Sequence, residues 1–197
     1  MSWEHYTLAI LLAGACTVLV VRQWLVVYVG LVATFLGTSL LLMAYTGTVV
    51  GVTRIIIGLT VATMLAAALW VERERPLQNQ SVFETPTLIG VAALGILAAY
   101  LLAERIPALI PQIAAMAAAA VLLLGFFAVV LRTSIFGMSM GVLLVVNGLD
   151  FTICLFLGEQ GMALLTVQGL VLVGVGFLAT LVQIIEFEGV LERDASR

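Results

Sequence analysis

Charge is scarce in this sequence, and lysine is absent altogether. The 197 residues include eight arginines and eleven acidic side chains, so charged residues make up 10% of the chain while hydrophobic residues make up 63%. Soluble domains carry about 25% charged residues, which excludes that class. The chain also lacks the extended basic surface that nucleic-acid binding needs. We therefore expect an integral membrane protein in contact with the lipid bilayer.

Side chains that catalyse reactions or bind metals are equally rare. The single histidine, His5, is expected at a membrane interface and not in a metal site. The two cysteines, Cys16 and Cys154, fall within apolar runs, where a cysteine ordinarily acts as a small hydrophobic residue. The sequence contains no ligand set for iron–sulfur, nickel, haem or flavin. We predict no metal site and no cofactor.

One short pattern imitates an enzyme motif. Gly137, Ser139 and Gly141 match the G-x-S-x-G pattern of serine hydrolases. That motif needs a strand before the serine, a helix after it and a histidine base. Here the pattern lies inside a predicted helix, and His5 is expected at the opposite face of the membrane. We therefore predict no catalytic residue.

Seven apolar segments account for most of the chain. They cover residues 6–21, 24–45, 47–71, 87–103, 112–131, 134–157 and 161–185. A helix needs about 20 mainly apolar residues to cross the hydrocarbon core of a bilayer. None of the segments alternates between polar and apolar residues as a barrel strand does. The expected fold class is all-α, a polytopic membrane protein with seven transmembrane helices.

The arginines predict the orientation of these helices. With seven spans, one side of the membrane receives six arginines and the other side receives only Arg105. The six are Arg22, Arg73, Arg75, Arg132, Arg193 and Arg197. Because arginine-rich loops stay in the cytoplasm, we expect the amino terminus outside and the carboxyl terminus in the cytoplasm.

The chain also repeats itself at an offset of 111 residues. Five glycine pairs fall in this one register: Gly14 with Gly125, Gly30 with Gly141, Gly37 with Gly148, Gly47 with Gly158, and Gly58 with Gly169. Each unit then holds three spans, and since one further span links the units, both enter the membrane from the same side. A chance alignment of glycine-rich helices is the alternative.

The repeat divides the chain into two parallel three-helix units joined by a linking helix. Residues 1–75 form the first unit, 76–111 a loop and the linking transmembrane helix, and 112–185 the second unit. Residues 186–197 are expected to be a cytoplasmic tail.

Two charged residues lie inside the predicted spans. Arg54 is in the third span and Asp150 in the sixth, each about 10 Å from the outer end of its helix at 1.5 Å per residue. Since a charge at that depth costs roughly 2.5–3.5 kcal/mol on insertion scales, we predict that the two form an ion pair. Asn147, one turn before Asp150, is placed to hydrogen-bond the pair or a chain of waters. Alternatively, Arg54 extends to the outer headgroups and Asp150 faces a neighbouring subunit or a backbone group.

Two stretches of the sequence resemble a known family. The third span contains T-R-I-I-I-G-L-T-V-A-T-M at residues 53–64, and the sixth segment combines L-R-T-S-I-F-G at 131–137 with V-V-N-G at 145–148. These stretches look like the E component of hydrogenase-4 and related membrane hydrogenases. That family is similar to the small three-span subunit of complex I and to the C subunit of multi-subunit cation/proton antiporters.

The resemblance implies a membrane-arm subunit of a complex-I-like or hydrogenase-like complex in a plasma (inner) membrane of bacterial or archaeal type. Its partners would be antiporter-like and other membrane subunits, which would also carry the redox chemistry. Arg54 would be the basic residue of a hydrophilic proton or ion path. The family's glutamate directly before Asn-Gly is replaced here by Val146, so Asp150, one helical turn further, is the candidate substitute.

The sequence is also compatible with two other functions. The first is a stand-alone small secondary transporter or channel, with Arg54 and Asp150 as its substrate or ion site. The second is a purely structural assembly subunit.

Overall fold

The described part of the chain consists mainly of long helices. The computed structural model describes residues 3–71, 83–105 and 110–158, together with 167, 169, 171, 173–178 and 181. Those residues contain six long helices and no strand. The helices are α1 (Trp3–Val20), α2 (Trp24–Tyr45), α3 (Thr48–Val71), α4 (Thr85–Arg105), α5 (Gln112–Leu131) and α6 (Ile135–Leu157). All six are long and apolar enough to span a bilayer, so this is a multi-pass membrane protein.

The first six predicted spans match these helices to within three residues at each end. The seventh predicted span, 161–185, lies mostly outside the described residues, although residues 173–178 within it are helical. Outside them also lie the predicted tail at 186–197 and most of the polar loop between the third and fourth spans.

Local sequence explains several helix ends. The hydroxyl of Ser134 accepts a hydrogen bond of 3.1 Å from the backbone N–H of Gly137 and so caps the start of α6. Gly47 follows the end of α2 and Gly158 follows the end of α6, with φ angles of 119° and 54°. Only glycine adopts such angles without steric cost, which makes it the usual residue just past a helix end. These two glycines are one of the pairs related by the 111-residue offset.

Four helices form the centre of the molecule. Helices α1, α2, α5 and α6 pack as a bundle, in which α1 contacts α2 and α5, and α6 contacts α5 and α2. Helix α3 lies against α2 on one side, and α4 lies against α5 and α1 on the other. The core of the bundle is made of buried leucine, alanine, valine and phenylalanine side chains.

Glycines bring α1 against α2 and α5 against α6 in matching ways. A Cβ added to Gly37 on α2 would lie 2.8 Å from Cβ of Leu11 on α1. A Cβ added to Gly148 on α6 would lie 2.9 Å from Cγ of Leu122 on α5, and Leu122 is the residue 111 positions after Leu11. Small residues of this kind let helix backbones approach closely in membranes. The two helix pairs therefore pack in the same register.

The other glycine pairs in these helices extend the match, and the last pair limits it. Gly14 and Gly125 face the equivalent positions 34 and 145. Gly30 faces Thr17, and Gly141 faces Val129 and Ala128, of which Ala128 is equivalent to Thr17. By contrast, Gly58 packs against Phe35 of α2, whereas Gly169 packs against Ile57 of α3. The shared packing register thus covers the first two helices of each predicted unit.

Much of the helix surface is apolar and exposed. On α4 a stripe of small and branched residues is buried against the bundle, namely Leu88, Ala92, Gly95, Ala99 and Ala103. The other faces of α4 expose Leu94, Leu97 and Leu101, each by more than half. A helix that is apolar on all sides is typical of a membrane span, and these faces are suited to contact with lipid.

The close helix contacts can be tested with a pair of glycine substitutions. A Cβ on Gly141 would lie 2.6 Å from the backbone nitrogen of Val129, so Gly141→Ala must force α5 and α6 apart and should lower the free energy of unfolding by about 1–3 kcal/mol. Gly90 on α4 has no atom within 4 Å of an added Cβ, so Gly90→Ala should raise it by about 0.5–1 kcal/mol. Unfolding by SDS in mixed micelles, followed by circular dichroism, measures both. Equal effects of the two substitutions would contradict the close packing of α5 against α6.

Candidate functional site: a buried ion pair between α3 and α6

The three residues predicted for the site lie together inside the helix bundle. Nη1 of Arg54 on α3 donates to Oδ2 of Asp150 on α6, forming an ion pair. Nη2 of Arg54 donates to the side-chain Oδ1 of Asn147 at 2.7 Å and to its backbone carbonyl at 2.9 Å. One guanidinium therefore holds both the carboxylate and the amide of the neighbouring helix.

The site is shielded from the surroundings of the bundle. Arg54 is 2% exposed, Asn147 0% and Asp150 6%, so the alternative in which Arg54 extends to the headgroups is wrong. In such surroundings each polar group needs a partner, because an unsatisfied one costs free energy. Nevertheless Arg54 Nε, Asn147 Nδ2 and Asp150 Oδ1 are buried and make no hydrogen bond within the described part of the chain. The site therefore offers two unused donor groups, Arg54 Nε and Asn147 Nδ2, and one unused acceptor, Asp150 Oδ1.

Helix geometry explains how α6 presents these groups. Asn147, Asp150 and Cys154 are three and four residues apart, which places them on one face of a helix. On α3, Gly51 allows a close approach to α2, since a Cβ at this position would lie 2.9 Å from the backbone oxygen of Ser39. Arg54 is one turn further along α3, and its side chain extends across to α6.

Two neighbours of the site were missed by sequence reasoning. The thiol of Cys154 lies 4.0 Å from Nη1 of Arg54, and the spacing from Asp150 was a signal that this cysteine shares the polar face of α6. The hydroxyl of Thr38 on α2 lies 3.3 Å from Oδ1 of Asn147 and donates to the carbonyl of Phe35 at 2.9 Å. Nothing in the sequence pairs α2 with α6 at this point, so only the tertiary structure reveals Thr38.

A second buried arginine lies at another place in the bundle. Arg132, which the sequence placed in a loop, is 2% exposed. Its Nη2 donates to the backbone carbonyls of Val18 at 3.4 Å, of Leu19, and of Val21 at 2.9 Å, at the carboxyl end of α1. The last carbonyls of a helix have no partner within the helix and carry its negative dipole end. Arg132, at the end of α5, therefore caps α1.

Arg132 remains charged in this position. Burial, together with the nearby charge of Arg22, lowers the pKa of Arg132 to about 10. That value is still far above neutral pH, so the cap carries its full charge. Position 132 corresponds to Val21 under the 111-residue offset, and the arginine is thus another charge without a charged counterpart in the first unit.

The arrangement at Arg54 is suited to holding and exchanging hydrogen bonds, and it lacks the parts of a hydrolase or of a metal centre. Ser139 lies within α6, which is a continuous helix, so the strand that a serine nucleophile elbow needs is not there. Within 3–71, 83–105, 110–158 and the described positions beyond them, no three His, Cys, Asp or Glu side chains come together as a metal site requires.

The ion pair can be tested by a double-mutant cycle. Arg54→Leu or Asp150→Leu alone leaves one buried charge uncompensated, so each should lower the free energy of unfolding by about 3–5 kcal/mol. The double substitution removes both charges and should be less destabilising than the sum of the two. The exposed Arg22→Leu is the control and should change stability by less than about 0.5 kcal/mol. Additive single effects, measured by SDS unfolding, would contradict direct contact.

The cap that Arg132 forms on the end of α1 can be tested by substitution. Arg132→Met removes charge-assisted hydrogen bonds to backbone carbonyls and should lower the free energy of unfolding by about 1.5–3 kcal/mol. Hydrogen exchange should speed up selectively at the carboxyl end of α1, because that is where the carbonyls lose their partner. Arg105→Met, at the exposed end of α4, should leave this exchange unchanged. Uniform acceleration across the bundle would speak against a local cap.

No protein-family model, curated protein or solved structure matches this chain.

Proposed function

We propose that this protein is a membrane subunit of a larger ion-translocating complex of the complex-I-like or hydrogenase-like type. Arg54, Asn147 and Asp150 contribute part of its hydrophilic proton or ion path, or the scaffold of that path. The observation that carries the proposal is the buried ion pair between α3 and α6 with polar atoms left over in an apolar bundle.

The energetics of the pair favour a functional role over a purely stabilising one. A buried ion pair loses two hydration shells, and replacing such a pair by apolar residues of similar volume is often neutral or stabilising. Leucine or methionine at these positions would therefore hold α3 against α6 at least as well. Ionisable residues inside membrane spans usually mark a path for substrate, ions or protons. The unused atoms of Asn147 and Asp150 offer hydrogen bonds to such a path.

In the family that the sequence resembles, a glutamate stands directly before Asn-Gly, and this chain departs from that pattern. Val146 occupies that place and packs partly buried against the hydrophobic core. Asp150, one turn further along α6, carries the carboxylate and faces Arg54. In this proposal the acidic group of the path has moved by one helical turn, and Arg54 holds it in place.

The proposed architecture is two parallel three-helix units joined by α4. It is supported by the equivalent packing of α1 against α2 and of α5 against α6, and by the paired positive φ angles of Gly47 and Gly158. The proposed orientation has the amino terminus outside and the carboxyl terminus in the cytoplasm, because this places the arginine-rich loops in the cytoplasm. The exposed apolar faces leave room for membrane partners of the antiporter-like type, which would carry out the driving reaction.

Membership of a complex can be tested by mild detergent extraction. An affinity-tagged copy should migrate on native gels with much larger membrane and peripheral proteins, which mass spectrometry of the band identifies. A chain that runs alone or as a small oligomer, and that moves a solute after reconstitution by itself, would instead be a stand-alone transporter.

The role of the site can be tested within that complex. Asp150→Asn removes the charge but keeps the size of the side chain, so ion translocation by sealed membrane vesicles should fall on the order of a hundredfold or more, whereas assembly on native gels persists. Asp150→Glu keeps a carboxylate and should retain measurable translocation. Full translocation by Asp150→Asn in an intact complex would exclude the path role, and loss of assembly alone would assign the residue to the scaffold.

A further inference from the structure

A groove runs between α1 and α4 on the outer surface of the bundle. Its volume of about 390 Å³ is within the range of about 300–1,000 Å³ that ligand pockets occupy. Its lining is apolar apart from Thr17, whose hydroxyl donates to the carbonyl of Gly14. Cys16 and Val20 line it on α1, and Ile89, Ala93 and Ile96 line it on α4. Ile89 and Ala93 are exposed, so the groove opens toward the lipid and not toward the ion pair.

The dimensions of the groove fit an extended hydrocarbon chain. From Ile89 to Ile96 the axis of α4 rises about 10 Å at 1.5 Å per residue. One leaflet of a bilayer has a hydrocarbon depth of about 15 Å, half of the 30 Å core. The groove therefore covers about two thirds of the depth of one leaflet. Small side chains, among them Ala93, create its width.

Positive charge lies at one end of the groove. Val21 lines that end, and the next residue, Arg22, is exposed. Arg132 lies next to this end, because its guanidinium donates a hydrogen bond to the carbonyl of Val21. One acidic residue, Glu84, precedes the start of α4, so this rim carries two positive charges and one negative charge among the described residues. Basic sites between transmembrane helices bind the headgroups of anionic lipids.

We infer that the groove between α1 and α4 is a binding site for one anionic phospholipid, with an acyl chain along Cys16, Val20, Ile89 and Ala93 and the phosphate at Arg22. The acyl chain fills a depression that the bundle itself leaves open, and the guanidinium of Arg22 donates hydrogen bonds to the phosphate. This site is separate from the ion pair between α3 and α6 and does not depend on the proposed function.

Native mass spectrometry of the full chain tests this inference. Purified protein, washed free of lipid in detergent, is titrated with phosphatidylglycerol and in parallel with phosphatidylcholine of the same acyl chains. We expect one phosphatidylglycerol to bind more tightly than phosphatidylcholine. Arg22→Gln should weaken phosphatidylglycerol about fivefold, the contribution of one arginine near a lipid surface, and should weaken phosphatidylcholine less, because its choline cation offsets the charge of the phosphate. Glu84→Gln removes a negative charge instead of a positive one and should not weaken the binding of either lipid.

The acyl part of the site has its own matched pair of variants. Ala93 lies in the groove and Ala98 lies outside it on the same helix, and both are exposed, so neither substitution should disturb the fold. Ala93→Leu fills the groove and should weaken both lipids about tenfold, which corresponds to about two excluded methylenes, whereas Ala98→Leu should change neither. Equal binding of the two lipids by the natural chain, no effect of Arg22→Gln, or equal effects of the two alanine substitutions would each overturn the site.

Discussion

The contact between Arg54 and Asp150 determines how the polar interior of this protein is built. A guanidinium cannot stay uncompensated among apolar side chains, because the loss of its hydration is not repaid without a counter-charge. Arg54 therefore extends from α3 to the carboxylate of Asp150 and the amide of Asn147 on α6. Helix α3 packs mainly on α2, so this contact is a polar link between α3 and the second half of the chain, beside the apolar contacts of Ile57 with Gly169 and of Val61 with Gly176.

The buried arginines share a further property, which is that each one joins the two halves of the chain. Arg54 belongs to the first predicted unit and binds acceptors in the second, and Arg132 belongs to the second and caps α1 in the first. Under the 111-residue offset their counterparts are Leu165 and Val21, and the counterpart of Asp150 is Ser39. The packing of the first two helices is thus similar in the two halves, whereas the halves differ in their buried charges and in the packing around Gly58 and Gly169. Because each of these charges has its partner in the other half, they favour one arrangement of the two halves over others that apolar packing alone would allow.

Different parts of the surface suit different surroundings. The exposed leucines of α4 and the apolar groove beside α1 are suited to contact with hydrocarbon, and Arg22, just past the end of α1, is exposed. The polar cluster at Arg54 is buried where α2, α3 and α6 meet. A protein of this design keeps its exposed apolar faces apart from its polar interior, as is usual when ionisable side chains lie inside membrane spans.

Sequence patterns alone determined the helices and the depth of the charges. Apolar runs bounded by glycine, proline and arginine predicted six of the described helices to within three residues, because in lipid the backbone must satisfy its own hydrogen bonds and a helix does so locally. The spacing of Asn147 and Asp150 likewise placed both on one face of α6 before any contact was known. The ion pair followed from the rule that a buried charge needs a partner, since each half offered one candidate.

Only the tertiary structure decided which groups surround that pair and where the other charge goes. Thr38 is an ordinary residue inside a span, and Arg132 lies between spans, where its sequence context indicates orientation but no contact with α1. Their roles arise because α2 lies beside α6 and because α1 and α5 end at the same place, so that the carbonyls of α1 come within reach of Arg132. Contacts between helices distant in sequence depend on how whole helices pack, and a linear pattern carries no direct record of that packing.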